Sequence, residues 1–124
     1  MQERRIGVGI IGLGTVGCGA LKILLEQQEE LSRRVGARLE VVRLATRDPS
    51  KPRPVAFDPR LLAKDGWEVI EDPRVDIVVE TIGGVGAAKA FVFGALERGK
   101  AVVTANKELM AKFGREILDL AKRK

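Results

Sequence analysis

The chain has 124 residues, no histidine and one cysteine. Proton transfer therefore falls to Lys, Asp or Glu, and a thiolate or imidazole metal cluster has no ligand set to draw on, so no metal site is expected. Chemistry concentrates in two stretches. The first is Gly12-Leu13-Gly14-Thr15-Val16-Gly17, which directly follows the apolar run Ile6-Gly7-Val8-Gly9-Ile10-Ile11. Each glycine there meets a separate need. Gly12 permits a tight turn out of a strand, Gly14 lets a diphosphate reach the backbone without meeting a Cβ, and Gly17 lets the next helix pack closely on the strand. The free N–H groups at the helix start, with Thr15 and Val16 in the first turn, then face the anion at the positive end of the helix dipole. Strand, Gly-x-Gly-x-x-Gly and helix in that order are the fingerprint of dinucleotide binding.

The second stretch is Thr104-Ala105-Asn106-Lys107-Glu108, at the carboxyl end of an apolar run. Asn106 is a good helix N-cap. Lys107 is out of place behind it, because a cation in the first helical turn opposes the macrodipole. Residue type and position leave it open between a solvated surface lysine and an ammonium turned toward the strand-end crevice. A third signal comes after the second strand, where NAD-selective domains usually carry an acid that accepts from the ribose hydroxyls. Here the chain reads Ala45-Thr46-Arg47-Asp48-Pro49-Ser50-Lys51. The charge and forked donors of Arg47, supported by Lys51, suit a 2′-phosphate and favour NADP(H). The alternative is an exposed basic loop in which Asp48 reads the ribose of NAD.

The elements that position these residues emerge from periodicity. Val16, Ala20, Ile23, Leu24, Gln27 and Leu31 recur at helical spacing, predicting one helix over 15–34 that stops near Gly36. A second strand is expected over 39–45, and a polar loop with four of the five prolines over 46–59. Beyond it, one helical turn is expected over 60–64 and a short edge strand over 67–70. The run 75–80 reads as a buried parallel strand ending in Glu80, followed by a glycine turn at Gly83-Gly84. A helix over 87–98, a strand over 100–104 and a last helix over 106–122 complete the chain. The last helix is expected to bury Leu109, Met110, Phe113, Ile117 and Leu120. Alternating strands and helices require a parallel sheet with right-handed crossovers. The expected fold is a single doubly wound, Rossmann-like α/β domain.

Composition narrows the partners. Apolar residues make up 45% and charged residues 31%, as in an ordinary globular domain, and the formal charge is +5. The basic residues are scattered and the aromatics are four Phe and one Trp, which argues against a nucleic-acid surface. An anionic cofactor accounts for the mild positive excess. No run reaches the length of a membrane span, and the expected location is the cytoplasm. Cys18 reads as a small packed residue.

Taken together, Gly12-Leu13-Gly14-Thr15-Val16-Gly17, Asp76-Ile77-Val78-Val79-Glu80 with Gly83-Gly84, and Gly99-Lys100-Ala101-Val102-Val103-Thr104-Ala105-Asn106-Lys107 resemble homoserine dehydrogenase. The likeness runs through essentially the whole chain and matches only that family's N-terminal nucleotide-binding domain. It implies reduction of aspartate 4-semialdehyde to homoserine with NADH or NADPH, on the route to threonine, methionine and isoleucine. It also implies that Lys107 lies beside nicotinamide and substrate as the catalytic candidate, with Thr81, Gly83, Thr104 and Asn106 lining the nicotinamide side. The family's substrate-binding and dimerisation region has no counterpart in these residues. Hydride transfer needs cofactor and carbonyl held together with an acid at hand. The expectation is therefore cofactor binding without appreciable turnover, with a small-molecule substrate only when that further region is supplied. An apolar patch left uncovered could make the domain self-associate as a homo-oligomer. A stand-alone NAD(P) sensor, or the nucleotide domain of another semialdehyde- or imine-reducing dehydrogenase, would share the glycine turn.

Overall fold

The apolar runs become four strands, β1 (Arg5–Ile11), β2 (Arg38–Ala45), β3 (Ile77–Glu80) and β4 (Ala101–Thr104). They form one sheet in the order β2-β1-β3-β4, every pair parallel. The computed structural model describes residues 4–124. Within them lie five α-helices, α1 (Thr15–Glu26), α2 (Gln28–Val35), α3 (Gly66–Glu71), α4 (Gly86–Glu97) and α5 (Lys107–Arg123). The chain leaves β1 through α1 toward one end of the sheet, and leaves β3 through α4 toward the other. Right-handed crossovers in opposite directions place those helices on opposite faces, and the packing agrees. Val8, Ile10 and Leu44 meet Cys18 and Leu21 of α1 in one core. Ile11, Val78, Val69, Ile70 and Ala95 form the second, which α5 extends by setting Leu109, Ile117 and Leu120 against Ala88, Val92 and Leu96 of α4. The sheet is doubly wound, with its switch point between β1 and β3. Such sheets bind ligands beyond the carboxyl ends at that point. Among the described residues no helix is long and apolar enough to cross a membrane.

Several elements differ from their sequence reading. The helix expected over 15–34 is two helices, broken at Gln27. The break lets α2 clamp the start of β2, where Gln28 Nε2 donates to the Leu39 carbonyl at 2.9 Å and Leu39 N–H donates to Ser32 Oγ at 3.0 Å. The buried face of α1 is also rotated. Gly17, Cys18 and Leu21 face the sheet, whereas Val16 and Ile23 are 58% and 51% exposed. The close approach of Gly17 to the Gly12 turn fixes the phase, and apolar periodicity cannot sense it.

Residues 67–70 are not an edge strand but lie within α3. Asp65 caps that helix by accepting from Glu68 N–H at 2.9 Å, and Glu68 in turn accepts from Lys64 N–H at 3.0 Å. Those two bonds at the helix start, together with full burial of Val69 and Ile70, outweigh the β-propensity of Trp67, Val69 and Ile70. The turn expected over 60–64 is a 3-10 turn at Pro59–Leu61, after which Leu62 bridges Leu44 in parallel. β3 begins two residues late, because Asp76 Oδ2 accepts from Gly7 N–H at 2.8 Å and holds the strand entrance with a side chain. In α5, Leu109, Ile117 and Leu120 are buried as expected, while Met110 and Phe113 are half-buried at its margin.

Candidate functional site

The switch point is built from the end of β1. At Gly12 the chain turns with φ of 103°, a left-handed conformation that favours glycine. Gly12 N–H donates to the Ala45 carbonyl at 2.8 Å and so ties the exits of β1 and β2 together. On the other side Thr81 Oγ1 donates to the Gly12 carbonyl at 2.9 Å. A Cβ on Gly12 would stand 2.7 Å from that same Thr81 Oγ1, and one on Gly17 would stand 1.9 Å from the Gly12 carbonyl oxygen. The fold demands both glycines. Gly14 is the opposite case. Its φ of −80° suits any residue, and a Cβ there would meet nothing within 4 Å. No side chain caps α1 and no acid occupies its first turn, so the leading N–H groups at Thr15 and Val16 have no side-chain acceptor. The turn leaves open space beside those N–H groups. Cys18 is buried, its thiol donating to the Leu13 carbonyl at 3.2 Å, which makes it part of the turn's framework.

Beyond β2 the loop folds around a residue that the sequence reading passed over. Arg53 donates from Nε to the Leu13 carbonyl at 3.0 Å, from Nη1 to the Lys51 carbonyl at 2.8 Å, and from Nη2 to Thr46 Oγ1 at 2.8 Å and the Asp48 carbonyl at 2.7 Å. One guanidinium thereby fastens the loop after β2 to the glycine turn. The signal was present only as one basic residue among several in a proline-rich stretch, and periodicity does not mark such a staple. Arg47 and Lys51 are both exposed but line different clefts. Arg47 borders a cleft of about 270 Å³ walled by Ile11, Ala45, Ile82, Ala87 and Phe91, with Lys64 also on its lining. Lys51 borders a groove of about 380 Å³ over the first turns of α1, with Gly14, Thr15, Lys22 and Arg53. Asp48 is exposed as well, and its Oδ1 accepts from Ser50 Oγ at 3.0 Å.

On the β3–β4 side the structure gathers Thr81, Gly83, Thr104, Asn106 and Lys107 at one edge of the sheet. Asn106 caps α5 by accepting from Leu109 N–H at 3.0 Å, and its Nδ2 donates to the Gly84 carbonyl. Thr104 Oγ1 donates to Glu80 at 2.6 Å and accepts from Asn106 N–H at 3.0 Å. The polar groups of Thr104 and Asn106 are thus engaged within the protein, and both serve as scaffold for the start of α5. Lys107 is the first residue of that helix and is exposed. Glu80 is fully buried, and its hydrogen-bond partners are Ile82, Gly83 and Thr104. Among the described residues Glu80 has no basic partner.

A doubly wound parallel sheet with a glycine turn at its switch point and an uncapped helix behind it defines a dinucleotide-binding domain. More specifically, the family model "Homoserine dehydrogenase, NAD binding domain" matches residues 12–124, and the chain belongs to that family. It is 43% identical over 119 residues to the homoserine dehydrogenase of Bacillus subtilis, covering 96% of this chain and 28% of that protein. The structure of a homoserine dehydrogenase from Thiobacillus denitrificans superposes with a TM-score of 0.82 at 41% identity, over 98% of this chain and 28% of that one. A hyperthermophilic archaeal homoserine dehydrogenase mutant, solved in complex with NADPH, gives a TM-score of 0.73 at 25% identity over 96% of this chain and 41% of that one. The chain therefore spans well under half the length of these relatives.

Proposed function

We propose that the chain holds a nicotinamide dinucleotide along the carboxyl edge of its sheet, NADP(H) in preference to NAD(H), for hydride exchange between aspartate 4-semialdehyde and homoserine. Gly12, Gly14, Thr15, Val16 and Gly17 receive the diphosphate, and the Arg47 cleft receives the adenosine. Arg47 and Lys51 reach a 2′-phosphate from opposite sides of the loop that Arg53 fastens. Thr81, Gly83, Thr104 and Asn106 form the floor and rim on the nicotinamide side. When bound, the reduced cofactor supplies the hydride that converts an aldehyde to an alcohol. Lys107 Nζ is the group within this chain that can neutralise the oxygen of the reacting carbonyl.

The observation that carries this reading is the empty space at Gly14 beside uncapped helical N–H groups. The fold has no use for a glycine there, but an incoming diphosphate does. The NADPH complex of the archaeal relative supports the cofactor class. Substrate contacts fall to the length of chain that the relatives have beyond this domain, so the domain alone binds cofactor without appreciable turnover. Calorimetric titration with NADPH and NADH tests the reading. Saturable binding with NADPH tighter is expected. Absence of binding by either at millimolar concentration would overturn it, and steady homoserine oxidation by the chain alone would overturn the division of labour.

A further inference from the structure

An ionisable side chain withdrawn from water is expected beside an opposite charge, because burying a charge costs several kcal/mol even after the protein relaxes. Glu80 breaks that expectation. It is 0% exposed, ends β3 one residue before the Thr81 that holds the glycine turn, and has no cation among its hydrogen-bond partners. Its Oε2 accepts from Ile82 N–H at 2.9 Å and Gly83 N–H at 3.3 Å, and its Oε1 accepts from Thr104 Oγ1 at 2.6 Å. Three donors converge on one carboxylate, which offsets much of the desolvation.

Those bonds close a ring. Thr104 Oγ1, having donated to Glu80, accepts from Asn106 N–H at 3.0 Å. Asn106 Nδ2 donates to the Gly84 carbonyl, and Gly84 comes directly after the Gly83 whose N–H returns to Glu80. The two glycines sit at φ of 77° and 70°, a left-handed pair that has no side chains to hold it. Asn106 is at once the cap of α5 and the residue before Lys107. The ring thus fixes the turn after β3 and the start of α5 relative to each other. The adenosine side is held by other means, through Ala45 and Arg53.

We infer that Glu80 is a positioning residue for the nicotinamide half of the site, setting the Gly83-Gly84 turn against the Asn106-Lys107 helix start without touching the cofactor. This role rests on the dinucleotide-binding function proposed for the chain. Glu80→Gln is nearly isosteric and lets the amide oxygen keep the Ile82 and Gly83 bonds. It turns an NH2 toward Thr104 Oγ1, whose second lone pair can accept it beside the Asn106 N–H, so the ring keeps the link with its direction reversed and loses the charge-assisted bond that holds it tight. Thr104→Val removes the hydroxyl and with it both the bond to Glu80 and the acceptor of Asn106 N–H, and leaves the carboxylate in place.

The test is titration of the 124-residue chain, wild type and both variants, with NADPH and with 2′-phospho-ADP-ribose, which lacks only the nicotinamide. Far-UV dichroism and the thermal midpoint report folding. The loss of one hydrogen bond to a charged group corresponds to NADPH affinity weakened about tenfold, with affinity for the nicotinamide-free ligand held within about twofold. If Glu80→Gln fails to fold, Glu80→Asp, which keeps the charge but draws the carboxylate back from Thr104, decides by the same split, with Thr104→Val as support only because Thr104 also lines the proposed nicotinamide side. Equal losses for both ligands, or no loss of NADPH affinity, would overturn the positioning role while the dinucleotide reading stands. Failure of the wild type to bind either ligand would overturn that reading, and this inference with it.

Discussion

A Cβ on Gly17 would lie 1.9 Å from the carbonyl oxygen of Gly12, so the first helix rests directly on the turn that feeds it. The obstacle is backbone, tied on both sides by Ala45 and Thr81, and it cannot swing aside as a side chain would. Gly17→Ala must therefore push α1 off the sheet. Overpacking in a closed core costs about 1–3 kcal/mol, and a clash this short belongs at or beyond the upper end. Urea denaturation is expected to show that loss, together with loss of NADPH binding. An alanine variant of undiminished stability would show that α1 and β1 can separate freely.

Arg53 joins the loop after β2 to the glycine turn through four hydrogen bonds. Arg53→Ala takes one donor each from the carbonyls of Leu13, Lys51 and Asp48 and frees the segment that presents Arg47 and Lys51. NADPH affinity is expected to fall about tenfold or more, the scale of losing a charge-assisted bond. Arg53→Lys keeps the charge but not the fork and should recover little of it. Titration of the two variants side by side separates geometry from charge.

Cofactor preference is expected to track Arg47. Removing a guanidinium that meets a 2′-phosphate costs about 1.5–3 kcal/mol for NADPH, whereas NADH offers it no phosphate there. Arg47→Ala should thus bring the two affinities together, as read by competition between the reduced cofactors. Unchanged affinity for both would move the ribose contact to Asp48.

Acid and alkaline stability trace to one corner at the amino end of the sheet. The hydrogen bond from Arg74 holds the Asp72 carboxyl below its ordinary range, with nearby charge from Arg74 and Arg43 adding to it. Burial pushes the Lys100 ammonium down from its ordinary value, even though it donates to the Asp72 and Val75 carbonyls. Both groups bind protons less readily folded than unfolded, so each makes stability rise with pH through its own window. The Asp72 contribution is present above about pH 4, where the unfolded carboxyl ionises, and is lost as pH falls through the folded value. The Lys100 penalty lifts as pH climbs toward 10.5. Thermal midpoints of Asp72→Asn across pH 2 to about 5 should show a flatter acid limb than wild type.

The four strands, their parallel direction and the glycine turn were legible because each rests on pattern: unbroken apolar runs alternating with helices, and glycines at fixed spacing between a strand and a helix. Asn106 as a cap was legible for the same reason. The rotation of α1 was not, since it depends on a backbone contact between Gly17 and Gly12 that no apolar period records. Residues 67–70 were misread because Trp67, Val69 and Ile70 are β-prone and a run this short looks alike in a strand or a short helix. The cue that separates them was Asp65 three residues ahead of Glu68. Arg53 and Glu80 were hidden for a common reason. Their partners are mostly backbone groups brought close by folding, and a sequence does not show which carbonyls and N–H groups a side chain will find.

Gly14 is the fingerprint glycine that the fold does not require, and diphosphate binding at the turn stands or falls with it. Its backbone is unstrained and a Cβ there meets nothing within 4 Å, so Gly14→Ala should leave stability within about 0.5 kcal/mol of wild type. The same methyl would stand in the path of the diphosphate, and NADPH affinity is expected to fall tenfold or more, on the order of 1.4 kcal/mol. Calorimetric titration of Gly14→Ala beside the wild type, with thermal midpoints for both, is the measurement to make. Unchanged stability with lost binding is the predicted result. Unchanged stability with unchanged NADPH binding would place the diphosphate elsewhere and contradict the proposed site.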